Sequence, residues 1–128
     1  MKILITGGLG HIGSYLIRNL VHEIPVSKII IVDSLATQRY SSLFNLPLTP
    51  NIEYIEKKVT EINPVDITRT GDIDCVVHLA ATTDASGNLD NSEALFENNL
   101  GSTTAIADLC GSLEIPLIFP SSTSVYGS

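Results

Sequence analysis

Residues 7–13 of this 128-residue chain, GGLGHIG, hold four glycines in seven positions, between the apolar run KILIT and a second apolar stretch. Glycine weakens regular structure because it has the most backbone freedom to lose, so a cluster directly after a strand-like run needs a geometric cause. Gly8, Gly10 and Gly13 are spaced G-x-G-x-x-G, a helical pattern follows, and an acid, Asp33, stands twenty residues past Gly13. Those are the contextual conditions of a dinucleotide-binding turn. One glycine permits the tight turn, one lets a pyrophosphate approach the backbone, and one lets the helix pack closely on the strand. The helix start then offers N–H groups and partial positive charge to the phosphates. No Gly-Lys-Ser/Thr follows, which excludes a P-loop.

The rest of the chain alternates in the same way. Lys2–Thr6 is the first predicted strand, and Ile12, Leu16 and Leu20 give His11–Glu23 an apolar helical stripe. KIIIV (residues 28–32) is a second strand ending at Asp33, and Ile52–Glu56 a third, after a Pro-bearing loop with one helical turn around Ser41–Asn45. Asn63 is placed as an N-cap, Pro64 fits the first helical position, and Gly71 ends a short helix. Cys75–Ala80 is the fourth strand and Ile115–Phe119 the fifth. Between them the longest helix runs from about Asn91 to Leu113, with Phe96, Leu100, Thr103, Ala107 and Cys110 on one face. Strand–helix alternation implies right-handed βαβ units and an α/β fold, a doubly wound parallel sheet of Rossmann type in the order 3-2-1-4-5. Residues 1–128 form one domain, with ligands expected where the winding reverses.

Asp33 is expected to accept hydrogen bonds from the adenosine ribose hydroxyls; its carboxylate would repel a 2′-phosphate, which favours NAD over NADP. Arg39, six residues on, is read as a solvated loop residue. With 14 acidic against 7 basic residues the formal charge is −7, so nucleic acid is not an expected partner. No apolar stretch is long enough to cross a bilayer, and a strand begins at once, so no membrane partner and a cytoplasmic location are expected. Cys75 and Cys110 are isolated and no histidines cluster, so no metal site is expected and both thiols read as small hydrophobes. His78, inside a strand, reads as a hydrogen-bonded core histidine.

Four motifs in order make the chain resemble the extended short-chain dehydrogenase/reductase family, in its NAD-dependent epimerase/dehydratase group acting on nucleotide sugars. Thr6, Gly7, Gly10 and Gly13 match its first turn; His78, Leu79, Ala80 and Ala81 its fourth-strand H-L-A-A; Asn98, Gly101 and Ser102 its N-x-x-G-[ST]; and Ser121, Ser122, Val125, Tyr126 and Gly127 its S-S-x-x-V-Y-G. The resemblance implies NAD as cofactor, held by Gly7, Gly10, His11, Ile12 and Gly13 at the pyrophosphate. It places Leu79, Ala80 and Ala81 near the nicotinamide ribose, with Asn98 and Ser121 beside them. Ser122 takes the place of the catalytic hydroxyl, and Tyr126 that of a packing or substrate-contacting residue.

Where the family carries Gly-Asp against the adenine, this chain has Lys57-Lys58, leaving backbone contacts around Val59. Where its dehydratases carry Thr-Asp-Glu, this chain has Ser122-Thr123-Ser124, which favours an epimerase or simple dehydrogenase over a dehydratase. The family's Tyr-x-x-x-Lys pair has one match by spacing, Tyr54 with Lys58, and that pair is rejected because it lies on the third strand, on the adenine side. The expectation is therefore the cofactor-binding N-terminal part of a nucleotide-sugar epimerase, inactive alone, lacking the C-terminal substrate region and homodimeric at full length. The alternatives are a non-catalytic NAD-binding module, half of a split enzyme, or a dehydratase or reductase of the same family. Thr82–Ser86 is expected to border the sugar.

Overall fold

The computed structural model describes residues 1–36, 40–44, 46–48, 51–69, 71–82 and 92–121. Five parallel strands, β1 (Lys2–Thr6), β2 (Lys28–Asp33), β3 (Asn51–Glu56), β4 (Cys75–His78) and β5 (Leu117–Ile118), form one sheet in the order 3-2-1-4-5. This is the Rossmann-like order that the alternation predicts. Among the described residues the α-helices between them are α1 (His11–Glu23), α2 (Pro64–Thr68) and α3 (Ser92–Ser112), with short 3₁₀ turns at Tyr40–Leu43 and Val59–Glu61. β1 sits at the centre, with Ile3–Thr6 paired to β2 on one side and to Cys75–His78 on the other.

The central strands are apolar throughout because both faces of the sheet are covered. Side chains alternate across them. Ile3, Ile5, Ile29 and Ile31 pack with Leu9 and Ile17 on the α1 face. Leu4, Ile30, Val32 and Val76 pack with Ile67, Ile106 and Cys110 on the other. β5 is shorter than its apolar run because only Leu117 and Ile118 find partners, in Val76 and Val77.

α2 starts as its sequence predicts. The Asn63 side chain accepts from the Asp66 N–H at 3.1 Å, Asp66 Oδ2 accepts from the Asn63 N–H at 3.0 Å, and Pro64 opens the helix. Gly71, at φ +89°, takes the left-handed turn that follows.

Two helix faces differ in part from expectation. Ile12 is 67% exposed, whereas Leu16 and Leu20 of the same stripe pack against the core beside the buried Gly13, Ser14 and Ile17. The approach of Gly13 to the turn brings the helix start too close to the sheet for a large side chain to fit beneath it. On α3, Phe96 and Leu100 are exposed, and the buried row is Ser102, Ile106 and Cys110. Only Cys110 belongs to both rows, and at 100° per residue the helix is turned by about a quarter-turn from the apolar stripe. Ser102 can be buried because its hydroxyl donates to the Asn99 carbonyl at 3.1 Å, within the helix. Among the described residues no helix is long and apolar enough to cross a membrane, and no cluster of metal-ligating side chains occurs.

Candidate functional site

The carboxyl ends of β1, β2 and β4 converge on the glycine turn. Gly7 lies at φ +66°, and its N–H donates to the Val32 carbonyl at 2.8 Å, tying the turn to β2. A Cβ at Gly7 would stand 2.6 Å from the Ala80 nitrogen, so β4 can lie against the turn only where there is no side chain. A Cβ at Gly13 would stand 2.5 Å from the Gly7 oxygen and 2.6 Å from the Gly8 Cα. Gly10 differs: among the described residues a Cβ there would meet only the Gly7 oxygen, at 3.2 Å. Gly7 and Gly13 therefore serve internal packing, whereas Gly10 keeps clear the space above the turn.

Gly10 is also the N-cap of α1, with no side-chain cap and no acid in the first turn. The first N–H groups of a helix point outward along its axis, and the first turn of α1 carries no acidic side chain. His11 and Ile12 begin the helix, both exposed. Such a turn fits a pyrophosphate.

Asp33 stands beside it. Its Oδ2 accepts from the Leu9 N–H at 3.1 Å and its Oδ1 from the Leu35 N–H at 2.9 Å, so the carboxylate is held to the glycine turn. Each carboxylate oxygen keeps lone-pair capacity for another donor. The Asp33 carbonyl in turn accepts from the Tyr54 hydroxyl at 3.1 Å and the Lys57 N–H at 3.2 Å, fixing the end of β2 to β3.

After β3 the Lys57 ammonium bonds both carboxylate oxygens of Asp66, at 2.9 and 2.8 Å. That bond, followed by the one from the Asn63 backbone, holds the Asp66 carboxyl below its usual range. Lys57 is thus a structural cation, while Lys58 is exposed. Val59 is buried in the core beside Ile55 and Ile67, which leaves its backbone as the part able to face a ligand.

On the other side of β1, Thr6 organises the end of β4. Its hydroxyl oxygen accepts from the Leu79 N–H at 3.2 Å and the Ala80 N–H at 3.3 Å. With both lone pairs so engaged, its proton is directed to His78 Nδ1, 2.7 Å away. The His78 proton therefore sits on Nε2 and is donated to the Thr103 hydroxyl at 3.2 Å. His78 is a hydrogen-bonded core residue, as its position in the strand predicts.

Protonating His78 would set a second N–H against an oxygen that already accepts two, and burial alone pushes the imidazole below its ordinary value of 6.5. The unfolded chain then binds more protons than the folded one as pH falls below 6.5, so stability is full above that value and is lost as pH falls from it toward the depressed folded pKa. Unfolding by urea is expected to need less free energy at about pH 5 than at about pH 7.5, with the difference reduced in His78→Gln. Equal stability at the two values would exclude this. Glu53 and Asp66, held below their ordinary 4.5 and 3.8 by Lys28 and Lys57, lose their stabilisation only as pH falls below those values.

The structure brings Gly7, Gly10, His11, Ile12, Gly13, Asp33, Leu79, Ala80 and Ala81 to one edge of the sheet. Asn98 lies on α3 and donates to the Thr82 hydroxyl at 2.9 Å. Ser121, exposed, follows β5. Ser122, Arg39, Tyr126 and Thr83–Ser86 lie outside the described residues. Two contributors escape sequence reasoning. Thr6 stands in a matched motif but shows its role only through partners more than seventy residues away. Asn99 bonds Thr82, and its one signal is the Asn-Asn doublet.

A model of the NAD dependent epimerase/dehydratase family matches residues 3–128. A dTDP-D-glucose 4,6-dehydratase of Dictyostelium discoideum is 33% identical over 99% of this chain, and a UDP-glucose 4-epimerase of Yersinia enterocolitica 28% identical over 99%. The chain spans 30% and 38% of those two proteins. The solved UDP-glucuronic acid 4-epimerase of Bacillus cereus, in complex with NAD, superposes on all of this chain with TM-score 0.79 at 29% identity, the match covering 41% of that structure.

Proposed function

Since the chain belongs to the NAD dependent epimerase/dehydratase family, we propose that it forms the NAD-holding N-terminal part of an epimerase that acts on a nucleotide sugar in the cytoplasm and is homodimeric at full length. The observation that carries this reading is the space over Gly10. Among the described residues a Cβ there meets one atom, the Gly7 oxygen at 3.2 Å, against backbone contacts of 2.5–2.6 Å at Gly7 and Gly13, and the Asp33 carboxylate is held at its rim.

In this reading Gly7, Gly10, Gly13 and the first turn at His11 and Ile12 hold the pyrophosphate. Asp33 orients the adenosine ribose, and the Val59 backbone borders the adenine. Leu79, Ala80, Ala81, Asn98 and Ser121 border the nicotinamide half, and Ser122 bonds the reacting sugar oxygen. When bound, NAD supplies the hydride acceptor. Epimerisation is favoured over dehydration because Ser122-Thr123-Ser124 offers no acid pair for elimination. No Tyr-x-x-x-Lys pair stands near Ser122 in these residues, and Tyr54 with Lys58 lies at the adenine end. The 128 residues alone are thus expected to bind cofactor without turnover.

Isothermal titration of the chain with NAD⁺ and with NADP⁺ tests the cofactor reading. NAD⁺ is expected to bind at least about tenfold more tightly, a gap of roughly 1.4 kcal/mol, since a 2′-phosphate would meet the Asp33 carboxylate. Binding of neither dinucleotide would overturn the reading; tighter binding of NADP⁺ would overturn the role of Asp33.

A further inference from the structure

The segment leaving β4 is held at two points. At its start, Leu79 and Ala80 donate to the Thr6 hydroxyl. At its end, three hydrogen bonds from α3 converge on Thr82. Asn99 Oδ1 accepts the Thr82 N–H at 2.8 Å, Asn99 Nδ2 donates to the Thr82 carbonyl at 2.9 Å, and Asn98 Nδ2 donates to the Thr82 hydroxyl at 2.9 Å. A carboxamide paired with both polar groups of one residue copies the pairing of two peptide units. It also has only one sense, because reversing the amide would set donor against donor and acceptor against acceptor. Asn99 is half-buried, in a groove with Leu95, Phe96, Leu100 and Thr103.

The topology says which half of a ligand this segment meets. With the pyrophosphate on the turn after β1 and the acid for the adenosine ribose at the end of β2, the rest of a dinucleotide must extend over the opposite neighbour, β4. Leu79–Thr82 is the chain that leaves β4 there.

We propose that Asn99 is a positioning residue, which by clamping the Thr82 backbone to α3 sets Leu79–Thr82 as the wall of the cofactor site on the nicotinamide side. This rests on the NAD reading given above. Loss of the clamp leaves the far end of the wall held only through the Thr82 hydroxyl by Asn98, while Thr6 still anchors the near end, so the effect falls on the nicotinamide half of the cofactor and spares the adenosine half.

The test is titration of the wild-type chain, Asn99→Leu and Asn99→Ser with NAD⁺ and, separately, with ADP, which carries adenosine and pyrophosphate without the nicotinamide ribose. Leucine keeps the branched side-chain shape and removes both bonds; serine, smaller, is too short to span them. NAD⁺ affinity is expected to fall about tenfold in both variants, with ADP affinity unchanged within about twofold. Parallel loss of NAD⁺ and ADP affinity would show a general structural role and overturn the proposal, as would unchanged NAD⁺ affinity. A wild-type chain that binds neither ligand would instead sink the cofactor reading itself.

Discussion

Alanine at position 13 is expected to lower the free energy of unfolding by about 3 kcal/mol, at the upper end of what overpacking a close-fitting site costs. The added Cβ would stand 2.5 Å from the Gly7 oxygen, 2.6 Å from the Gly8 Cα and 2.9 Å from the Gly8 carbonyl carbon. All three are backbone atoms of a turn tied to β2 and β4, so no rotamer change can relieve the contact. Either α1 lifts from the sheet, withdrawing Ile17 from the core, or the turn opens and loses its bond to Val32. Urea unfolding of Gly13→Ala measures the cost. Gly101→Ala is the internal comparison, because a Cβ at Gly101, inside α3, meets nothing within 4 Å among the described residues. Replacing that mid-helix glycine is expected to stabilise the chain by up to about 1 kcal/mol. If the two variants proved equally stable, the packing account of the turn would be wrong.

The second large effect is on binding. Gly10→Val is expected to weaken NAD⁺ at least about a hundredfold, roughly 2.7 kcal/mol, while the chain stays folded. Gly10 has extended backbone angles, φ −67° and ψ 175°, which valine adopts readily. Among the described residues its Cβ would meet only the Gly7 oxygen, at 3.2 Å. The cost to the fold is a small shift of the Gly7 carbonyl and a poorer N-cap for α1, the latter about 1 kcal/mol. The two methyl groups would instead occupy the space over the turn. Titration with NAD⁺ beside a thermal melt separates the effects. Unchanged affinity in a folded Gly10→Val chain would mean that no pyrophosphate lies there.

The contrast between these glycines marks the limit of the sequence pattern. The spacing of Gly7, Gly10 and Gly13 announces the turn, but it does not say which of them face the protein and which faces a ligand. That division depends on how close β4 comes to Gly7 and α1 to the turn, and both distances are products of the assembled sheet.

What the sequence determined by itself is whatever neighbouring residues decide among themselves. The apolar runs of β1 and β2, the α1 boundaries at His11 and Glu23, and the Asn63–Pro64 start of α2 are local matters of side-chain period and capping chemistry. Right-handed crossovers turn that order of elements into the sheet order 3-2-1-4-5. Tertiary structure alone decided which face α3 buries. An apolar stripe and a buried stripe coincide only if polar residues stay outside, and Ser102 goes inside by bonding within its own helix. It also decided that Lys57 spends its charge on Asp66, that Thr6 and His78 join across 72 positions of sequence, and that Asn99 holds Thr82. Such polar side chains have several partners of equal chemistry, and only the packed fold brings one of them within hydrogen-bond reach.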